Sequence, residues 1–144
     1  MSRISRSARL YLIDTSARSR AHHPEIGDIL NGLLNDGAAA TCVTTDLEAG
    51  YSGQNYSEVL SIAETRRGRY RVLPINEEIA RRAREVQISM AARGHHRAAG
   101  VIDLLTAAVA EYHSAVILHY DADFEHIAAV TGQPHMWVVP RGQV

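Results

Sequence analysis

The sequence predicts an α/β protein, a three-layer α/β/α sandwich around a central parallel sheet of four to five strands. Short apolar runs alternate along the chain with segments of helical periodicity, and this alternation is typical of strand–helix–strand units. With 144 residues, 46% of them hydrophobic, the chain has the size of a single domain with a sizeable core. We expect one domain over residues 1–144, with residues 1–9 as a flexible basic tail.

The first half of the chain contains two predicted strands and the helices that follow them. Residues 10–13 form a short apolar run, which predicts a buried strand. Apolar residues then recur at the spacing of one helix face, with Pro24 suited to the first turn and Gly37 to the end. Residues 41–44 are short and rich in β-branched side chains, so we predict a second strand there and a helix that begins near residue 45.

The second half of the chain continues the alternation. Its predicted helices cover residues 57–67, 77–93, 101–112 and 124–130. Its predicted strands cover residues 71–74, 115–118 and 135–139. The helix 101–112 is rich in alanine, and together with the stripe between residues 26 and 34 it is expected to form either core or a dimer surface.

The composition excludes several classes of function. All fifteen basic residues are arginine, and P-loop enzymes, Schiff-base enzymes and protein kinases all need a lysine. The net charge of −1 argues against a polybasic nucleic-acid binder. The single cysteine, Cys42, fits a reducing compartment. No apolar stretch is long enough for a signal peptide or a membrane span, so we expect a cytoplasmic protein without membrane contact.

Carboxylates follow the predicted strands at the edge where an open parallel sheet binds its ligands. Asp14 comes directly after the first strand, and Asp121 and Asp123 follow the strand at 115–118. Glu48 lies a few residues past the second strand, and Asp103 lies near the start of the helix 101–112. Clustered carboxylates repel one another unless a proton or a cation lies between them. Oxygen ligands of this kind favour Mg²⁺ or Mn²⁺.

Each acid also has a structural interpretation. Thr45 and Glu48 have the spacing of a capping box, and Asp103 could complement the dipole of its helix. Asp121 or Asp123 could cap the last helix, and Asp14 could form an Asx turn. Zinc is disfavoured, because the eight histidines include no His-Glu-x-x-His motif and no cysteine pair exists.

Four segments resemble those of a known family, the PIN-domain ribonucleases, and within it the VapC-like toxins of bacterial toxin–antitoxin pairs. The segments are residues 12–16 (LIDTS), 41–48 (TCVTTDLE), 101–108 (VIDLLTAA) and 118–124 (LHYDADF). Their order and spacing match the family over nearly the whole chain. The resemblance implies a PIN-like fold, Mg²⁺-dependent hydrolysis of RNA, a homodimer and neutralisation by a small cognate antitoxin.

The resemblance also implies roles for single residues. Asp14 and Asp103 match the metal-binding aspartates and Asp121 the fourth acid, which also belongs to the expected metal set. Glu48 matches the second acid, and Asp123 matches an accessory acid. The expected catalytic set is therefore all five.

Two further positions are expected beside these acids, and several arginines are candidates for RNA contact. Ser16 matches a hydroxyl near the site. His119 stands where many members have Thr or Ser, which leaves open how Asp121 is hydrogen-bonded. The candidate RNA contacts are Arg66, Arg67, Arg69, Arg93 and Arg97. Subtracting the five site acids from sixteen leaves eleven acids against fifteen arginines, a surplus that favours RNA, with tRNA or rRNA as the expected substrate.

The leading hypothesis is therefore a Mg²⁺-dependent endoribonuclease toxin, with Mn²⁺ as an alternative ion. One alternative is a catalytically inactive PIN-like module that binds RNA or protein, although such a domain has no need to keep repelling carboxylates together. A phosphotransfer or phosphatase domain with Asp14 as nucleophile is disfavoured by the missing lysine.

Overall fold

The computed structural model describes residues 9–144 and contains one all-parallel sheet of five strands. The strands are β1 (Tyr11–Ile13), β2 (Ala39–Thr41), β3 (Arg71–Val72), β4 (Val116–His119) and β5 (His135–Trp137). Their order across the sheet is β3-β2-β1-β4-β5, so β1 lies at the centre, where Leu12 pairs with Ala40 and with Ile117. The predicted α/β/α fold is confirmed. The predicted tail, apart from Arg9, lies outside the described residues.

Seven helices connect and cover the strands of the described chain. They are α1 (Thr15–Arg18), α2 (Pro24–Asn35), α3 (Val43–Tyr51), α4 (Tyr56–Arg69), α5 (Glu77–Ala92), α6 (Val101–Tyr112) and α7 (Asp123–Thr131). Pro24 opens α2 as predicted, and Gly37 follows that helix with a φ of 70°, a left-handed conformation that glycine adopts without strain. None of these helices is long and apolar enough to cross a membrane.

Alternate residues of the central strands serve two separate apolar layers. Leu12 and Ile117 point into the layer beneath α5, α6 and α7, whereas Ile13 and Leu118 point into the layer beneath α1 and α2. All four side chains are at most 2% exposed. A sheet covered on both faces explains why these strands read as continuous apolar runs. The alanine-rich centre of α6 and two residues of the α2 stripe, Ile26 and Leu30, are buried in the core.

The second strand ends earlier than the sequence predicts, because Cys42 is the N-cap of α3. The backbone N–H of Cys42 donates to Thr45 Oγ1 at 3.1 Å, and Thr44 Oγ1 lies 2.7 Å from Thr106 Oγ1 of α6. These hydroxyl contacts offset the strand propensity of the threonines. The prediction of a strand over 41–44 was therefore wrong beyond Thr41. The capping box is formed by Cys42 and Thr45, so Glu48 takes no part in it and lies in the second turn.

Candidate functional site

Asp14 lies at the centre of the carboxyl edge of the sheet, between the end of β1 and the start of α1. Its backbone N–H donates to Leu118 O at 2.9 Å, which fixes it against β4. Its Oδ2 accepts hydrogen bonds from Ser16 N at 3.0 Å and Ser16 Oγ at 2.6 Å. The other oxygen, Oδ1, is buried without a hydrogen-bond partner among the described residues. A buried carboxylate oxygen without a donor needs a cation or a proton beside it.

The hydroxyl of Ser16 both donates and accepts a hydrogen bond at this edge of the sheet. Besides donating to Asp14, Ser16 Oγ accepts a hydrogen bond from Tyr120 N at 2.8 Å. A single side chain thus ties the residue after β1 to the segment after β4. Ser16 therefore orients Asp14 and fixes its distance from the acids that follow β4.

Three further aspartates converge beside Asp14. One carboxylate oxygen from each of Asp103, Asp121 and Asp123 lies within 4.8 Å of the other two. Asp123 N donates to Asp121 Oδ1 at 2.9 Å, and Gly100 N donates to Asp123 Oδ2 at 3.2 Å. A Cβ at position 100 would lie 3.3 Å from Asp103 Oδ2, so glycine there lets the start of α6 lie close to the acids.

The close approach of these acids raises the pKa of Asp103 to about 8. Burial is the largest cause, followed by a hydrogen bond with the Asp123 carboxyl group and by the negative charges of Asp14, Asp121 and Asp123. A carboxyl group with this pKa holds a proton at neutral pH unless a cation displaces it. Asp103 therefore interacts with the other acids of the cluster and does not merely complement the dipole of α6.

Glu48 and Asp121 belong to the same electrostatic network. Burial raises the pKa of Glu48, a hydrogen bond from Thr15 Oγ1 at 3.1 Å opposes that rise, and the charges of Asp14 and Asp121 add to it. Burial also raises the pKa of Asp121, with the charges of Asp123 and Asp14 adding to the effect. The structure thus links all five predicted acids electrostatically, and within this set the three-residue cluster within 4.8 Å consists of Asp103, Asp121 and Asp123. Thr15 contacts Glu48 and is a neighbour that sequence reasoning missed.

His119 answers the question of how Asp121 is hydrogen-bonded. Its side chain is fully buried, and its Nδ1 accepts from Asp121 N at 3.1 Å. The ring proton is therefore assigned to Nε2, which lies 2.9 Å from His135 Nδ1. Burial, together with the charge of His135, lowers the pKa of His119 to about 4. His119 is thus a neutral acceptor for the backbone of Asp121.

The predicted RNA-contacting arginines are spread over different surfaces. Arg66 Nε forms a salt bridge with Asp46 Oδ1 at 2.8 Å and is mostly buried. Arg69 donates to Asn35 Oδ1 at 3.2 Å, and Arg93 donates to Ala129 O at 3.2 Å. Arg67 and Arg97 are exposed. None of the five forms a salt bridge with a site acid among the described residues.

A basic residue that was not predicted lies closer to the site. Arg20 Nη1 donates to Ser16 O at 2.7 Å, and its guanidinium lies 4.6 Å from the centre of the Tyr120 ring. Arg20 lies two residues past the end of α1, in a segment without a predicted element, so no local pattern pointed to its contact with Ser16.

Comparison with known proteins agrees with this architecture. The family model described as "PIN domain" matches residues 11–130. Ribonuclease VapC21 of Mycobacterium tuberculosis is 40% identical over 132 residues, covering 92% of this chain and 96% of the relative. Ribonuclease VapC51 of the same organism is 41% identical over 134 residues, covering 93% and 96%. A DNA-bound VapBC crystal structure from Salmonella typhimurium aligns with a TM-score of 0.74 at 17% identity, covering 91% of this chain and 99% of that one.

The fold and the acidic site together define an α/β/α protein whose sheet edge carries a carboxylate cluster suited to a divalent cation. The chain belongs to the PIN-domain family, and within it to the VapC ribonucleases.

Proposed function

We propose that this protein is a Mg²⁺-dependent endoribonuclease toxin that hydrolyses phosphodiester bonds of RNA and is neutralised by a cognate antitoxin. The observation that carries the proposal is the convergence of five acids from four segments, with three of their pKa values raised. No salt bridge involves any of the five among residues 9–144. Repelling carboxylates of this kind are stabilised by a cation, and the relatives VapC21 and VapC51 are ribonucleases.

The donor set fits a hard divalent ion. We assign Asp14, Asp103 and Asp121 as its ligands, supported by the partnerless Oδ1 of Asp14 and by the convergence of Asp103, Asp121 and Asp123. All available donors are carboxylate oxygens, which Mg²⁺ and Mn²⁺ prefer and which zinc sites of His and Cys lack. When bound, the ion polarises a phosphate oxygen and lowers the pKa of a water molecule.

The chain's own residues orient the reactants. Glu48, with its raised pKa and its hydrogen bond from Thr15, is assigned to align the attacking water and accept its proton, since a base with a raised pKa works closer to neutral pH. Asp123 is held by Gly100 N and is assigned either to share this role or to complete a second ion site. In hydrolysis the water oxygen forms a bond to phosphorus, and the bond from phosphorus to the leaving oxygen breaks.

Arginine side chains would bring the RNA backbone to this acidic edge. Arg20 donates to Ser16 O beside the acids, and the exposed Arg67 and Arg97 are further candidates for RNA contact. Arginine binds phosphate through paired, planar hydrogen bonds. The proposed substrate is tRNA or rRNA, and the proposed location is the cytoplasm, where these RNAs are found.

The hairpin of α3 and α4 carries exposed apolar side chains that a protein partner could cover. Leu47, Tyr51 and Tyr56 are 68%, 92% and 81% exposed, and a cavity of about 340 Å³ lies between the two helices. Exposed apolar patches of this kind are typical of interaction sites. Solved structures with this fold include a member of the VapBC family of toxin–antitoxin systems from Mycobacterium tuberculosis, so we assign this surface to the antitoxin. We further propose a homodimer, for which the exposed Val101 and Ile102 at the start of α6 are candidate contacts.

Incubation of the purified protein with RNA tests the proposal. We expect cleavage in Mg²⁺ that stops when a chelator is added and returns when excess Mg²⁺ is restored. Co-purification with the product of a neighbouring small open reading frame should suppress it. Unchanged RNA in both Mg²⁺ and Mn²⁺, with RNA binding retained, would instead indicate an inactive binding module.

A further inference from the structure

A basic pocket lies outside the acid cluster, between α1 and α4. It is a cavity of about 210 Å³, and it is lined by Arg18, Ser61, Ile62, Thr65, Arg66 and Tyr70. Arg18 is the last residue of α1, the helix that Asp14 caps. Four residues of helix separate the two by about 6 Å along the axis, so this pocket is a neighbour of the catalytic edge.

Arg18 forms no salt bridge with any acid among residues 9–144. Its guanidinium lies 5.1 Å from the centre of the Tyr70 ring, which engages the face of the group. Its in-plane donors Nε and Nη2 are buried, and no described residue accepts a hydrogen bond from either. Leaving such donors without an acceptor is costly, which favours a ligand that supplies one.

The second arginine of the pocket is already paired. Arg66 Nε forms its salt bridge with Asp46, and Asp46 also accepts a hydrogen bond from Thr41 Oγ1. Asp46 therefore offsets the charge of Arg66, and the charge of Arg18 leaves the pocket lining with a net positive charge. The hydroxyls of Ser61 and Thr65 add neutral donors at its rim.

We infer that this pocket binds a phosphodiester group of the RNA substrate, next to the scissile group along the strand. A phosphate accepts two parallel hydrogen bonds from the Nε and Nη2 edge of an arginine, which is the edge that lacks partners here. Both nitrogens are covered in this structure, so phosphate binding requires that the Arg18 guanidinium rotates toward the cavity that it lines. The inference rests on the proposed function, since it presupposes an RNA substrate.

Binding of a labelled single-stranded RNA oligonucleotide tests the inference in an Asp14→Asn background, where turnover is prevented. Arg18→Met removes the donors and keeps the side-chain length, and Arg84→Met on the exposed face of α5 is the matched control. We expect Arg18→Met to raise Kd at least about tenfold, because the loss of even one of the two charge-assisted hydrogen bonds has an effect of that size. The slope of log Kd against log salt should fall by about 0.7, which corresponds to one phosphate contact. Arg18→Lys should fall between Arg18→Met and the parent protein.

Cleavage assays separate this inference from the proposed function. With Asp14 intact, Arg18→Met should raise KM for the oligonucleotide about tenfold and leave kcat unchanged. A dinucleoside monophosphate, which has only the scissile phosphate, should be hydrolysed equally by the parent and the variant. Circular dichroism and Tm establish that each variant is folded.

Three results would overturn the inference. The first is an equal Kd and salt slope for Arg18→Met and Arg84→Met. The second is an equal loss on the dinucleoside, which would place Arg18 at the reacting group. The third is weakened antitoxin binding with unchanged RNA binding, which would assign the pocket to a protein. Failure of the parent protein to cleave any RNA in Mg²⁺ overturns the proposed function, whereas the binding result still decides the role of Arg18.

Discussion

Charged side chains are arranged in opposite ways at two places in this molecule. On the outer face of α5 and α6, Arg81 pairs with Glu78 at 2.6 Å and with Glu85 at 2.7 Å, and Arg82 pairs with Glu111 at 2.7 Å. At the carboxyl edge of the sheet, five acids face one another with no salt bridge to any described residue. The first region neutralises itself, whereas the second depends on a proton or on a cation from outside the chain.

The pKa values are raised in both regions, but the rise has opposite consequences for the charged form of the groups. The glutamates raise the pKa of Arg81 and Arg82, which stabilises the charged form of a base. Burial and mutual repulsion raise the pKa of Asp103 and Asp121, which destabilises the charged form of an acid. Stored repulsion of this kind is typical of functional sites. The comparison predicts that changes at the edge alter activity and changes on the α5–α6 face do not.

The largest effect is expected from Asp14→Asn. Asparagine keeps an oxygen that can accept from Ser16 N and cap α1, so the fold should be retained. It removes the negative charge that we assign to the cation, and RNA cleavage should fall at least about a thousandfold. The measurement is the initial rate on RNA in Mg²⁺. Asp28→Asn, at an exposed position of α2, should cleave at the parent rate, and an active Asp14→Asn protein would contradict the assignment.

The next effect is a dependence of stability on pH in the presence of a chelator. Below about pH 4 the carboxyl group of Asp103 is protonated in both the folded and the unfolded state. Between the ordinary pKa of 3.8 and the folded value of about 8, the unfolded state releases the proton and the folded state keeps it. The free energy of unfolding therefore falls as the pH rises through this window. Tm measured by calorimetry should fall with it.

Asp103→Asn and Mg²⁺ should both reduce that dependence. The substitution removes the titrating group, so Tm at pH 8 should rise by about 2–4 °C for each kcal/mol recovered, while cleavage is lost. Mg²⁺ added to the parent protein should raise Tm most at the alkaline end, where it replaces the proton. If the Tm in chelator did not change with pH, and if Mg²⁺ did not change the Tm either, the acids would not be crowded.

The sequence was sufficient to predict the fold and the position of the acids at one edge of the sheet, because both follow from local pattern. Alternation of strands and helices fixes a parallel sheet, and residues directly after its strands must meet at one edge. The strand end at Thr41 was missed because hydroxyl contacts at Cys42 and Thr44 outweigh β propensity. Local pattern is weakest where a side chain can hydrogen-bond the backbone of its neighbours.

The groups that support the acids could not be predicted in the same way. His135 meets His119 across sixteen residues of sequence, because the register of β4 and β5 places Ile117 opposite His135 and His119 opposite Trp137. Thr15 and Glu48 are thirty-three residues apart. Such contacts depend on register and on the packing of α1 against α3, which no single segment encodes.

Substitution of His119, which pairs with His135, should have an intermediate effect. His119→Leu leaves Asp121 N without its acceptor in a partly buried position, so the Asp121 carboxylate should lose its fixed orientation. We expect the Mg²⁺ concentration for half-maximal cleavage to rise about 10- to 100-fold. His119→Asn offers an oxygen near the place of Nδ1 and should recover part of the loss. Equal Mg²⁺ dependence in all three proteins would show that His119 serves packing alone.

The smallest effects are expected on the α5–α6 face, at the Arg82–Glu111 pair. Both side chains are about one-third exposed, and ion pairs of this kind contribute about 0.2–1 kcal/mol. Arg82→Gln and Glu111→Gln should each lower the free energy of unfolding by no more than about 1 kcal/mol, and the double variant isolates the pairwise coupling. RNA cleavage should stay at the parent rate in all three. A coupling well above that range, or a loss of cleavage, would mean that this face communicates with the acidic edge through α6, which carries both Asp103 and Glu111.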